Sequence, residues 1–269
     1  IIHGLTHLQM HRRAKALRRF RANHSDADAG NLLRPSTLAH IFLPLVTHIL
    51  YETVKAADYL IVDEAISTIS SIARHLPWSR YYSVIRLLLA QLQRRSEKEK
   101  VFIKAICACI DAFHFDCSQP QIIDAPNKNT LDQPLDKDGG ATSDVVVTGP
   151  LNTITNTLLN KLIPQLYQYL IKGGDKDDDY DAKTGKSVRN AGAELRVPIA
   201  LAIVKILKKL PGSLIIGELE RLLSRICGLL ANRDQRVRDT TRKTLVRITK
   251  DLGAEYVKVV LRQLKLTLH

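Results

Sequence analysis

Several groups of residues in this 269-residue chain have types and spacings that could do chemistry. Thr184-Gly185-Lys186-Ser187 resembles the end of a phosphate-binding loop, whose backbone amides and lysine cradle a nucleotide. That loop requires glycine where Tyr180 stands and a strand where Gly173 to Asp179 offers none, and the aspartates nearby repel phosphate. A capped helix start is the favoured reading. His3, His7 and His11 recur at i, i+4 and i+8 and could bring two imidazoles to Zn²⁺, but no carboxylate or cysteine follows at ligand spacing. A solvated or RNA-facing stripe is favoured. Cys107, Cys109, His114 and Cys117 have the residue types of a metal knuckle. Helical residues two apart point roughly 200° apart, so buried structural thiols are the better reading. Asp63-Glu64 and Asp177-Asp178-Asp179 pair carboxylates without a partner acid, base or nucleophile. They are expected on an inter-helix face and in a solvated loop. Trp78, Tyr81 and Tyr82 could stack on RNA bases, but they follow the Leu76-Pro77 helix end, where packing in a turn is favoured. No catalytic residue, cofactor site or metal site is assigned, and the chain is not expected to be an enzyme.

Basic residues are the one group that retains a functional reading. Arg12, Arg13, Lys15, Arg18, Arg19 and Arg21 fall in a run from Ile1 to Ser25 that contains no acidic residue. Near the other end, Arg236, Lys243, Arg247 and Lys250 share one helix face, with Arg238 and Arg242 beside them. These are the candidate contacts to RNA phosphate. Such contacts position a protein on folded RNA without reading its sequence. A solvated helix face is the alternative. The charge distribution favours contact: of the net +13, residues 1–110 carry +8 and residues 187–269 carry +10, while 111–186 carry −5. A basic array with an acidic interruption suits a polyanionic partner.

These residues must be positioned by helices. Phe42-Leu43-Pro44-Leu45 lies inside one helix-like run and Leu162-Ile163-Pro164-Gln165 inside another. Each is followed by a helix ending in Leu-Pro (Leu76-Pro77, Leu210-Pro211), then a third helix, then a charged turn launching a fourth at Val101 or Val237. Repeated helix pairs stack side by side, each needing its neighbours to bury its faces. The expected fold is all-α: an α-solenoid of HEAT/armadillo-like helix pairs with two acidic loop insertions. Residues 1–116 form one set of repeats and 117–150 an acidic, flexible insertion. Residues 151–269 form a second set, with a loop insertion at 173–186. Within this scheme Ser36 caps the Pro44 helix, Ser96 and Glu99 form a capping box for a helix through Phe115, and Pro198 lies inside a helix of about 22 residues. The turn Asn232 to Arg238 resembles the HEAT turn, in which Asp and Arg stitch neighbouring turns together.

Composition agrees. Apolar residues are 45% of the chain and aromatics 5%, a mixture suited to helix-on-helix packing. The longest apolar stretches meet a charge or proline well before they could cross a bilayer. The four cysteines do not form a disulfide framework and read as reduced, buried thiols. With no initiator Met and no polar caps at Ile1 or Leu268, the chain is expected to continue in both directions.

The motifs extend beyond a generic array. His11-Arg12-Arg13-Ala14-Lys15-Ala16-Leu17-Arg18, Ile41-Phe42-Leu43-Pro44-Leu45, Val62-Asp63-Glu64-Ala65-Ile66, Ile72-Ala73-Arg74-His75-Leu76-Pro77-Trp78 and Ile110-Asp111-Ala112-Phe113-His114-Phe115-Asp116 follow in order. Together with Leu252-Gly253-Ala254-Glu255-Tyr256 they resemble the very large HEAT-repeat family of the small-subunit processome, also called "down-regulated in metastasis". The resemblance implies a nucleolar scaffold associated with the U-three small nucleolar ribonucleoprotein, acting in small-subunit ribosomal RNA processing. Its implied partners are pre-ribosomal RNA and/or U-three small nucleolar RNA and other processome proteins, with no membrane and no small-molecule substrate. A protein-binding HEAT array or nuclear transport adaptor without direct RNA contact is the alternative.

Overall fold

The structure, a computed structural model, describes residues 7, 9–25, 33–52, 59–94, 96–117, 153–172 and 194–268. The helices are α1 (Met10–Ser25), α2 (Leu43–Glu52), α3 (Tyr59–Ala73), α4 (Trp78–Arg94), α5 (Glu99–Asp111), α6 (Ile163–Gln168), α7 (Val197–Leu207), α8 (Gly212–Cys227), α9 (Gln235–Leu252) and α10 (Val257–Leu268). The odd-numbered helices pack one on the next, from α1 through α3, α5 and α7 to α9. The even-numbered helices form a second row: α2, α4 and α6 each lie against the odd helix that follows, and α8 packs against α7 and α10. Two rows of helices in alternating register are an α-solenoid, as the repeated pattern implies.

Each helix buries the stripe its sequence provides. On α4 that stripe is Tyr81, Val84, Ile85, Leu88, Leu89 and Leu92, spaced at i, i+3, i+4, i+7, i+8 and i+11. Helix α7 has neighbours on most sides and buries every residue from Ile199 to Val204. On α9 the buried face is Thr241, Thr244, Leu245, Ile248 and Leu252. The buried threonines donate their hydroxyls to carbonyls four residues back, Thr241 to Val237 and Thr244 to Thr240, so no polar atom is stranded. Gly253 ends α9 at φ +92°, a conformation that glycine adopts without Cβ strain.

The two internal prolines are built alike. Pro44 follows a π-turn, Leu38–Phe42, in which Leu43 N–H donates to Leu38 C=O. Pro164 follows the π-turn Leu158–Leu162, with Ile163 N–H donating to Leu158 C=O. A proline ring collides with the carbonyl four residues back and offers no N–H. The wider turn ahead of it makes room, so the expected proline kink is a π-bulge followed by proline.

Elsewhere the structure corrects sequence expectations. Pro198 does not interrupt a long helix: it occupies the first turn of α7, where a missing N–H costs nothing. Ahead of it Glu194–Leu195 (β2) pairs antiparallel with Ile171–Lys172 (β1), a two-residue ladder within the all-α array. Ser36 does not cap the Pro44 helix; Arg34 precedes the turn Pro35–Thr37, without a side-chain cap bond. Helix α5 ends at Asp111, not Phe115, and its N-cap is Lys98. Glu99, expected in a capping box with Ser96, is instead ion-paired with Arg196, 2.7 Å away across the insertion. The Ser96 side chain, His3, Thr184 to Ser187 and the aspartates at 177–179 lie outside the described residues, as do residues 118–152 and 173–193.

Candidate nucleic-acid interface

The odd-numbered row is stitched by charge at every seam. Glu64 of α3, only 13% exposed, accepts from both Arg18 (2.6 Å) and Arg21 of α1. Asp63 pairs with Lys104 of α5 at 2.7 Å, and Asp111 of α5 pairs with Lys205 of α7. At the last seam Lys208 donates to the Asp251 carbonyl of α9 at 2.6 Å. Two arginines on a half-buried carboxylate contribute more than the exposed pairs do, each of which is worth a fraction of a kcal/mol. Asp63 and Glu64 therefore serve an inter-helix face, as their spacing suggests.

This stitching divides the basic residues of α1. Arg18 and Arg21 are held by Glu64, and Arg13 lies 3.5 Å from Glu52 of α2. The run without acidic neighbours in sequence acquires them from helices about forty residues later. Arg12 contacts His7 (3.1 Å) and is exposed, as are Lys15 and Arg19. Arg12, Lys15 and Arg19 thus form the outward stripe of α1, at i, i+3 and i+7.

A similar division holds on α9. Asp234 caps the helix by accepting from Arg236 N–H (2.8 Å). Arg238 is drawn into its own turn, donating to the carbonyls of Asn232 (2.6 Å) and Arg233 (2.7 Å) and to Gln235. The Asp and Arg of this HEAT-like turn are thus each bonded locally, Asp234 as the helix cap and Arg238 to the turn carbonyls. Arg242 pairs with Asp239 at 2.7 Å. Arg236, Lys243, Arg247 and Lys250 remain exposed on the face opposite the buried threonines and leucines.

The aromatic and cysteine candidates are used in packing. Tyr81 is fully buried and its hydroxyl donates to Cys109 C=O at 2.7 Å. Trp78 stacks on Tyr82 at 5.6 Å, with Phe113 and Phe115 edge-on to Trp78 and Tyr81. Cys109, Cys117 and Cys227 are buried thiols and Cys107 is half-buried, donating to Pro198 C=O at 3.5 Å. Burial pushes Cys109 up to about 12, and Cys107 and Cys227 up to about 11, so all three are neutral at physiological pH. Among the described residues no helix is long and apolar enough to cross a membrane.

One basic surface escaped the sequence reading. Arg80, Arg86 and Arg94 are exposed along α4, a helix without a single acidic residue. The signal was present as an amphipathic helix whose polar face is purely basic or neutral, but its cations are spread over four turns and form no run.

An array of paired helices with its would-be reactive side chains packed between them belongs to the HEAT-type solenoids. Residues 186–269 match the family model described as the U3 small nucleolar RNA-associated protein 20 domain. The curated U3 small nucleolar RNA-associated protein 20 of Schizosaccharomyces pombe is 26% identical over 271 residues, covering 98% of this chain and 10% of that protein. Its Saccharomyces cerevisiae counterpart is 25% identical over 267 residues, covering 98% of this chain and 9% of that protein. The chain is thus similar along nearly its whole length to U3 small nucleolar RNA-associated protein 20 of two yeasts, and it spans about a tenth of the length of the curated relatives it matches.

Proposed function

We infer that this segment is part of a nucleolar scaffold in the small-subunit processome, holding pre-ribosomal RNA, U3 small nucleolar RNA and assembly factors during small-subunit rRNA processing. The observation that carries this reading is similarity along 98% of the chain to proteins named for their association with U3 small nucleolar RNA. The charge arrangement supports it. Ion pairs neutralise much of the odd-numbered row, and the cations left outward include Arg12, Lys15 and Arg19 on α1 and Arg236, Lys243, Arg247 and Lys250 on α9. Multivalent contact of these stripes with phosphate anchors RNA without sequence readout and without chemistry. A transport adaptor binding peptide cargo would not need two exposed cationic stripes.

Salt dependence tests this. A structured RNA bound through about four phosphate contacts should lose roughly a hundredfold in affinity between about 50 and 200 mM salt. Reversing Lys243 and Arg247 to Glu should flatten that dependence and weaken binding at low salt. A fragment that binds no RNA at low salt would leave only protein-mediated scaffolding.

A further inference from the structure

The even-numbered row holds a groove that the established relationships do not explain. Helices α4 and α6 each lean on the odd helix that follows, α5 and α7, and open a gap of about 210 Å³ between them. Its floor includes Leu89, and its walls present Arg86 and Gln93 from α4 with Gln165, Gln168 and Tyr169 from α6 and its end. Among the described residues no carboxylate lines it. Neither α4 nor the stretch from Thr153 to Gln168 contains an acidic residue. The Arg86 guanidinium lies 5.9 Å over the Tyr82 ring, which is stacked on Trp78. Both walls are interior helices of the even row, with α2 before them and α8 after.

The geometry points to this groove as a site for one nucleotide of single-stranded RNA, extruded between α4 and α6. This rests on the RNA reading above and gives it a second mode of contact. Each glutamine amide offers two donors and an acceptor, the combination that meets the Watson–Crick edge of a base. Arg86 supplies a planar cation beside the Tyr82 ring for the adjoining phosphate, and its guanidinium fork pairs with phosphate oxygens bidentately. The aromatic side chain of Tyr169 and the apolar floor suit the faces of a planar ring. Its described lining carries a cation and amides and no carboxylate, a composition that favours phosphate. An extended acidic peptide would meet the same arginine. It needs donors and acceptors at regular intervals along a strand, whereas here three amides converge on one short gap. Arg94, exposed at the C-terminal end of α4, adds a further cation beyond Gln93 on the same helix.

The test uses the 269-residue chain and fluorescence anisotropy with three probes. These are a mixed-sequence single strand of about ten nucleotides, a blunt RNA duplex, and a polyglutamate peptide as competitor. Arg86→Glu, and separately Gln93→Ala with Gln168→Ala, should each weaken single-strand binding by about tenfold or more and leave duplex binding unchanged. Lys243→Glu with Arg247→Glu should show the reverse pattern. A single strand carrying 4-thiouridine should crosslink to the α4 or α6 wall. Arg86, Gln93 and Gln168 are exposed, so thermal melts of the variants should overlay the parent. Duplex binding that persists while single-strand binding is absent, or is indifferent to the groove variants, overturns the groove site alone. Displacement of the single strand by polyglutamate with matching sensitivity to the groove variants assigns the groove to protein and overturns it too. Binding of neither RNA removes the groove site and the scaffold's direct RNA contact together.

Discussion

Tyr81 shows at the level of one residue how an aromatic placed near a helix turn becomes structure. Its ring is enclosed by Trp78, Phe113 and Phe115, and its hydroxyl meets the Cys109 carbonyl at 2.7 Å, tying α4 to α5. Burial raises its hydroxyl far above the ordinary tyrosine range, so it donates and never ionises. Tyr81→Phe should cost about 1 kcal/mol, the net worth of one hydrogen bond. Tyr81→Ala should cost about 3–5 kcal/mol through the cavity left among the rings. Chemical denaturation with unchanged m-values would verify both, and a neutral Tyr81→Ala would show that the cluster is not packed as described. Two imidazoles carry the pH dependence. His24 stacks on His75 at 4.5 Å where α1 meets the end of α3. Both are pulled below 6.5, first by burial and then by neighbouring charge: His75 on His24, and His114 and Arg74 on His75. The folded state therefore favours the neutral rings, and the unfolded chain takes up protons first. Stability is intact above pH 6.5 and falls as pH drops through 6.5 toward the folded values. Thermal melts should show a falling Tm from pH 7 to 5, shallower in His75→Gln; equal Tm across that range would refute the assignment.

At the level of the element, the repeated proline pattern was legible and its cause was not. Pro44 and Pro164 announce two equivalent helices, because proline is rare inside helices and its recurrence at one register is informative. The π-turn ahead of each was hidden, since one extra residue shifts an apolar period too little to notice among Leu38, Phe42 and Leu43. Pro198 was misread for a related reason: a first-turn proline and a mid-helix proline look alike when helix formers precede both. The pairing of Arg18 and Arg21 with Glu64 was equally invisible, because it joins positions 43 to 46 residues apart. Solenoid stacking supplies that contact, and local sequence does not record it. If the bulge exists to accommodate proline, the two features should be removable only together. Deleting the exposed Ile41 while keeping Pro44 should cost about 3 kcal/mol, since the ring then meets an ordinary helical carbonyl. The same deletion with Pro44→Ala should restore most of that loss by letting Leu38–Glu52 run as a regular helix. Equal destabilisation in both backgrounds would sever the link between bulge and proline.

For the whole molecule, each of the two acidic stretches of the sequence, 118–152 and 173–193, is flanked by described residues that are bonded to each other. The one between α5 and the Thr153 helix is closed at its base, where Thr155 Oγ1 donates to Cys117 C=O at 3.1 Å. The other is closed by the β1–β2 ladder, Lys172 opposite Glu194. Glu99 braces that second junction by pairing with Arg196 at 2.7 Å and Lys172 at 3.5 Å, contacts that hold its carboxyl below the usual range. Chain ends already held together need no long connection. Replacing residues 120–150 by a short Gly-Ser linker should leave the fold intact and shorten the closed loop about threefold or more, a gain of about 1 kcal/mol in loop entropy. The same change removes five aspartates and two lysines, raising net charge from +13 to +16. Because the solenoid helices are basic without the insertion, its loss should strengthen RNA binding at low salt and steepen the salt dependence. Thermal melts and anisotropy on the same sample separate the two effects. A Tm lowered by more than about 5 °C would mean that the insertion packs against the helices and contributes to their stability. An unchanged Tm with weaker RNA binding would mean that it carries contacts to RNA despite its charge. Higher affinity at equal or greater stability would identify it as an acidic counterweight to the basic array.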